Sequence, residues 1–158
     1  MNKLSVAIWF FLPLLTYAQS RTYNELNLSF FALIVSDMEV SSNWYVNTFD
    51  FEIINQVESE EKGFKISNLR QGENYLELIE LNNAIIPEKA LAGYNDKSRI
   101  QGIFKIGFFI PDFEEAIRRL EGLDVVFNGN VLLDKITNRK MVTIQDPDGN
   151  RVQLFSRE

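Results

Sequence analysis

Phe30-Phe31-Ala32-Leu33-Ile34-Val35-Ser36-Asp37-Met38-Glu39 and Lys105-Ile106-Gly107-Phe108-Phe109-Ile110-Pro111-Asp112-Phe113-Glu114 are two copies of one pattern, set 75 residues apart. Each begins as an apolar strand and runs through a polar stop into a helix. Ser36 and Glu39 fit a capping box, and Asp112 with Glu115 forms its acidic variant. Downstream of the second copy Phe113, Ala116, Ile117 and Leu120 recur at helical spacing, and Gly122 stands where a terminal glycine is expected. The first helix carries a broader stripe of Met38, Trp44, Tyr45 and Phe49, whose expected role is core packing.

Working outward, each helix is followed by strand-like segments. They are 51–57, 63–69 and 75–81 after the first, and 125–128, 140–145 and 151–155 after the second. Gln71-Gly72-Glu73-Asn74 and Asp148-Gly149 supply turns. Asp146-Pro147-Asp148-Gly149-Asn150 lacks the acidic spacing and closing Glu of a calcium loop, so it reads as a tight turn. The unit is therefore β-α-β-β-β, twice, and the class is α+β. Residues 82–102 connect the copies, with a short helix expected at Pro87–Ala92.

Among 158 residues there is no cysteine and no histidine. Disulfides, Cys/His zinc sites, thiol nucleophiles and His-based triads are excluded together. Twenty-two acids against 16 bases give a net charge of −6, which argues against nucleic acid. Residues 1–18 read as an export signal: Lys3, an apolar run from Leu4 to Leu15, then Thr16-Tyr17-Ala18 for cleavage after Ala18. That run is too short to span a bilayer of about 30 Å, and no cysteine follows for a lipid anchor. The expectation is a periplasmic or secreted protein without a stable membrane anchor: an arm at 19–27, then a single domain at 28–156 with modules at about 28–81 and 103–156. Losing Lys3 takes the mature charge to −7.

Strand alternation sorts the faces. Phe31, Leu33, Val35, Leu76, Leu78, Ile106, Phe108, Ile110, Val152 and Leu154 form apolar faces suited to the helices. Opposite them stand Phe30, Ala32, Ile34, Tyr75, Glu77, Lys105, Gly107, Phe109, Arg151, Gln153 and Phe155. This second face mixes rings with polar groups, as a lined cleft does.

The paired β-α-β-β-β plan, Val35-Ser36-Asp37-Met38-Glu39 with Trp44-Tyr45, Leu76-Glu77-Leu78 and the closing Asp146-Pro147-Asp148-Gly149-Asn150 together resemble the vicinal oxygen chelate superfamily of glyoxalases, bleomycin-resistance proteins and extradiol dioxygenases. The resemblance implies a cupped mixed sheet, with helices on its convex face. It also implies a divalent metal held by the first and last strands of each module. Those places fall on Phe30, Lys105, Glu77 and Gln153. Only Glu77 keeps the usual ligand; phenylalanine has no donor atom, and lysine offers a cation instead of a lone pair. The reading is a degenerate metal site and no cofactor.

Two functions are weighed. The first is a metal-free small-molecule binding module whose ligand meets Phe30, Tyr75, Glu77, Lys105, Phe109, Gln153 and Phe155. Its acidic charge mildly favours a cation. The second is a lyase- or isomerase-type enzyme with Glu77 as general base and Lys105 stabilising an anion, or a metal-dependent member with unusual ligands. Glu77 and Lys105 are expected to pair directly or through one water. Either one chain or a homodimer can close the cup.

Overall fold

The computed structural model describes residues 28–95 and 97–157. The export signal and the arm lie outside the described residues. The first module runs β1 (Phe31–Val35), α1 (Met38–Phe49), β2 (Glu52–Ser59), β3 (Phe64–Gln71) and β4 (Asn74–Leu81). A single helical turn, α2 (Pro87–Ala90), lies in the connection and ends two residues short of the expected Ala92. The second module runs β5 (Ile106–Ile110), α3 (Phe113–Glu121), β6 (Val126–Phe127), β7 (Leu132–Leu133), β8 (Lys140–Gln145) and β9 (Arg151–Ser156). The two-residue β7 was not anticipated; its Leu132-Leu133 is too short to show a period.

Both sheets follow one plan. The order is β1-β4-β3-β2 in the first and β5-β9-β8-β6 in the second, with β7 also on β8. In each, the first and last strands of the module are parallel and the remaining pairs antiparallel. The sorting by alternation holds. Val35, Leu76 and Leu78 are buried with Met38 and Tyr45 of α1, while Val152, Leu154, Val142 and Ile144 are buried with Phe113, Ile117 and Leu120 of α3.

The two cores meet at one seam. Trp44 and Phe49 of α1 and Phe108 of β5 pack against both. Phe31 and Phe108 stand 5.8 Å apart, and Phe49 and Phe108 5.6 Å, distances at which tilted rings attract by about 0.5–1.5 kcal/mol beyond burial. The aromatic stripe of α1 is thus core, as expected, and joins the modules. Arg119 of α3 reinforces the seam by gripping both carboxylate oxygens of Asp50 at 2.7 and 2.8 Å and the Asn47 carbonyl at 2.8 Å.

Two helix ends differ from their sequence reading. The cap of α1 is Asp37, which accepts from Val40 N–H; the Ser36 N–H is instead taken by Asp148. Gly122 closes α3 in a right-handed conformation (φ −81°), so the glycine there is not required by a left-handed turn. Asp112 caps α3 through Glu115 N–H as expected.

Candidate functional site

The face away from the helices carries the residues singled out above. At the seam a crevice of about 220 Å3 is lined by Leu28 to Phe31, Glu73 to Tyr75, and Ile106 to Phe108. Phe30 and Tyr75 therefore meet Gly107 of the other module. Phe30 is 54% exposed and does not plug the space. Glu77, two residues along from Tyr75 and level with Ala32 and Asn68, is half-buried on the same face. A larger, more open hollow of about 530 Å3 lies at the far end of β3 and β4, over Phe64, Ile66, Ile79 and Leu81.

The second sheet is laid out differently. Phe109 and Phe155 stack at 5.9 Å, and the Arg139 guanidinium lies 4.8 Å from the centre of the Phe109 ring. Arg151 lies 4.6 Å over Phe104. Between these, Gln153 is only 4% exposed. Its Nε2 rests 2.9 Å from Met141 Sδ, and its buried Oε1 has no hydrogen-bond partner among the described residues. Gly107 stands beside it in the parallel ladder, and a Cβ there would come 3.5 Å from the Gln153 carbonyl and 3.7 Å from Phe155.

The expected direct pairing of Glu77 with Lys105 is not formed; the ion pairs among the described residues are Lys65–Glu80, Arg118–Glu115, Arg119–Asp50 and Lys140–Glu114. The two residues belong to different sheets. Glu77 lies mid-strand, whereas β5 starts at Ile106 and leaves Lys105 exposed at its entrance. There Lys105 helps to hold Asp134 low, after the hydrogen bonds that Asp134 accepts from Thr137 and Ile136.

As a metal cage the four family positions do not fit. One offers a phenyl ring, one an ammonium, one a carboxylate and one an amide oxygen sealed from solvent. Among the described residues no group of three His, Cys, Asp or Glu side chains is placed to hold an ion.

The Asp146-Pro147-Asp148-Gly149-Asn150 turn does more than reverse the chain. Asp146 Oδ1 accepts from the backbone N–H groups of Asp148 and Asn150, and Oδ2 from Asn150 Nδ2 and the Tyr45 hydroxyl. Asp148 accepts from Ser36 N–H and the Ser41 hydroxyl. The turn of one module thus clasps the first strand and helix of the other. Burial pushes the Asp146 carboxyl up, against the pull of its donors, and burial beside Asp146 pushes the Tyr45 phenol up.

Sequence reasoning missed Arg139 and the partners of Arg151. Alternation places Arg151 on this face, but no local signal says that a ring lies beneath it.

A family model described as the Glyoxalase/Bleomycin resistance protein/Dioxygenase superfamily matches residues 27–154. No curated protein matches the chain. Among solved structures, SMU.1112c is 26% identical with a TM-score of 0.69, covering 82% of this chain and 98% of its own. Glyoxalase I of Leishmania major, described as trypanothione-dependent, is 17% identical with a TM-score of 0.61, over 84% and 87%. The fosfomycin resistance protein FosX of Listeria monocytogenes, solved with Mn(II) and sulfate, is 18% identical with a TM-score of 0.60, over 84% and 93%. The last two likenesses speak to the fold alone.

Proposed function

The chain belongs to the glyoxalase/bleomycin resistance/dioxygenase superfamily, and from that premise we propose that it is an exported, metal-free binding module for a small organic molecule. One observation carries the reading. The positions that bear metal ligands in the family hold Phe30, Lys105, Glu77 and a sealed Gln153, while beside them a crevice opens against exposed Phe30 and Tyr75. Rings that line a concavity at a module seam suit an apolar or aromatic ligand. Glyoxalase and dioxygenase chemistry depends on a Lewis-acidic or oxygen-activating ion, and this donor set does not support one.

The test is a thermal-shift screen of the mature protein with and without metals. A ligand that binds at a hundred times its Kd stabilises by about 2.7 kcal/mol, several degrees in a domain of this size. Organic ligands are expected to raise the melting temperature in the presence of chelator. Zn, Ni, Mn and Fe(II) are expected to leave it unchanged. Stoichiometric metal lost on Glu77→Ala would instead favour a metalloenzyme.

Export rests on residues 1–18. Protein recovered from the periplasm or medium is expected to begin at Gln19 by intact mass; a species still carrying Met1 would overturn export.

A further inference from the structure

Asn128 is the one asparagine of the chain that is followed directly by glycine. An asparagine carboxamide lies within reach of the backbone nitrogen of the next residue, and attack by that nitrogen closes a succinimide ring. A side chain on the next residue crowds the approach and restricts the backbone that must turn to allow it; glycine does neither. The sequence thus marks Asn128-Gly129 chemically, and the fold decides whether the step is accessible.

It is accessible. Asn128, Gly129 and Asn130 follow β6, precede β7 and are all exposed. The Asn128 N–H donates to the Thr143 carbonyl at 2.8 Å, which ties the near side of the step to β8. Beyond that bond, neither the Asn128 carboxamide nor the Gly129 N–H has a hydrogen-bond partner among the described residues. Gly129 has φ +98°, and a Cβ there would meet nothing within 4 Å.

Asp148-Gly149 supplies the contrast, since an aspartate before glycine can close the same ring. There the fold engages both ends. Asp148 accepts from Ser36 N–H and the Ser41 hydroxyl, and Gly149 N–H donates to the Asp146 carbonyl at 2.9 Å.

We propose that Asn128 is a site of spontaneous covalent modification, deamidating through a succinimide formed with Gly129. The Gly129 nitrogen gives its proton to base and attacks Asn128 Cγ. The bond from Cγ to Nδ2 breaks, and ammonia leaves with the proton returned. Water then opens the ring. Opening at Cγ yields aspartate; opening at the backbone carbonyl yields isoaspartate, with the main chain routed through the former side chain. In sum one water is taken up and one ammonia released, with no oxidation or reduction. Either product is a carboxylate at neutral pH. Isoaspartate also adds a methylene to the connection between β6 and β7. The β6–β8 pairing and the Asn128 N–H bond lie upstream of that carbon and are retained. The site is independent of the crevice and of the ligand reading, and stands or falls apart from them.

The experiment ages the folded mature protein in mildly alkaline buffer made with heavy-oxygen water. Ring opening during ageing is then labelled, and any during digestion is not. Trypsin releases Leu120–Lys135, which holds Asn128 and Asn130 together, and Met141–Arg151, which holds Asp148-Gly149. Labelled acid is expected at Asn128, with isoaspartate exceeding aspartate by electron-transfer fragmentation, and faster at higher pH. Asn130, equally exposed but followed by Val131, is expected to keep its amide. Asp148 should gain no isoaspartate until urea unfolds the chain. Gly129→Ala should slow the reaction at least about tenfold, and Asn128→Gln should leave an amide at that position over the same period. Equal labelling of Asn130 would overturn the proposal. Aspartate without isoaspartate would also overturn it, because that marks direct hydrolysis. A folded chain that keeps its Asn128 amide, whatever the unfolded chain does, would overturn it as well.

Discussion

The Tyr45 hydroxyl donates to Asp146 Oδ2 at 3.0 Å, joining the first helix of one module to the last turn of the other across 101 residues of chain. Both residues are buried, Tyr45 completely and Asp146 to all but 5%. The contact is therefore sheltered from water, and hydrogen bonds to charged groups of this kind stabilise by about 1.5–3 kcal/mol.

Tyr45→Phe keeps the ring contacts with Trp44, Phe49 and Phe51 and removes only this hydrogen bond. The expected cost is about 2 kcal/mol in urea unfolding, with the m-value unchanged.

The same variant has a pH signature. The folded carboxyl of Asp146 is raised above its usual value, chiefly by burial, and Tyr45 is one of the donors that oppose the rise. A raised carboxyl binds more protons folded than unfolded, so its contribution to stability falls as pH rises from the unfolded value through the folded one. Removing the hydroxyl should raise the Asp146 carboxyl further, seen in carbon-13 titration. The stability gap between wild type and Tyr45→Phe should be wider at neutral pH than in acid, where Asp146 is protonated in both. A gap independent of pH would mean that the hydroxyl does not favour the charged form.

The Arg119–Asp50 bridge predicts the opposite slope. Its hydrogen bond to Arg119 holds the Asp50 carboxyl below its usual value. The stability it adds is present above the unfolded value and lost as pH falls through the folded one. The pair is exposed, so Arg119→Ala should cost only about 0.5–1 kcal/mol at neutral pH and low salt, less at high salt, and almost nothing in strong acid.

Two turn glycines separate backbone strain from crowding. Gly63 has φ +68°, and a Cβ there would stand 2.9 Å from Asn82 Nδ2; Gly72 has φ +59° with nothing within 4 Å. Gly72→Ala should cost about 1 kcal/mol, for conformation alone. Gly63→Ala should cost more, because the Asn82 side chain must also move. Chemical denaturation of both variants checks the order.

Restoring donors should restore a metal. Phe30→His, Lys105→His and Gln153→Glu, made together beside the native Glu77, supply two imidazoles and two carboxylates at the family positions. The triple variant is expected to gain several degrees in melting temperature with Ni or Zn and to carry metal by elemental analysis, whereas the wild type does neither. A triple variant that folds without taking up metal would show that these four positions do not converge.

What the sequence determined by itself was local or periodic. The repeat of β-α-β-β-β, the aromatic stripe of α1, the Asp112 cap and the sorting of each strand into two faces all follow from period and neighbouring residues. They held because a strand or helix presents its side chains by geometry that needs no partner. Tertiary structure decided what lies across from each side chain. Ser36 reads as a cap, yet its N–H goes to Asp148, 112 residues away, and Asp37 caps instead. Alternation reads Glu77 and Lys105 onto one side, yet Lys105 precedes β5 in the other sheet and no ion pair joins the two. Gln153 reads as a cleft residue and is sealed beside Met141, while Arg139 and Arg151 find rings that no spacing announces. Alternation fixes the direction of a side chain; only the packing of two modules fixes its neighbour, and charge, burial and hydrogen bonding depend on the neighbour.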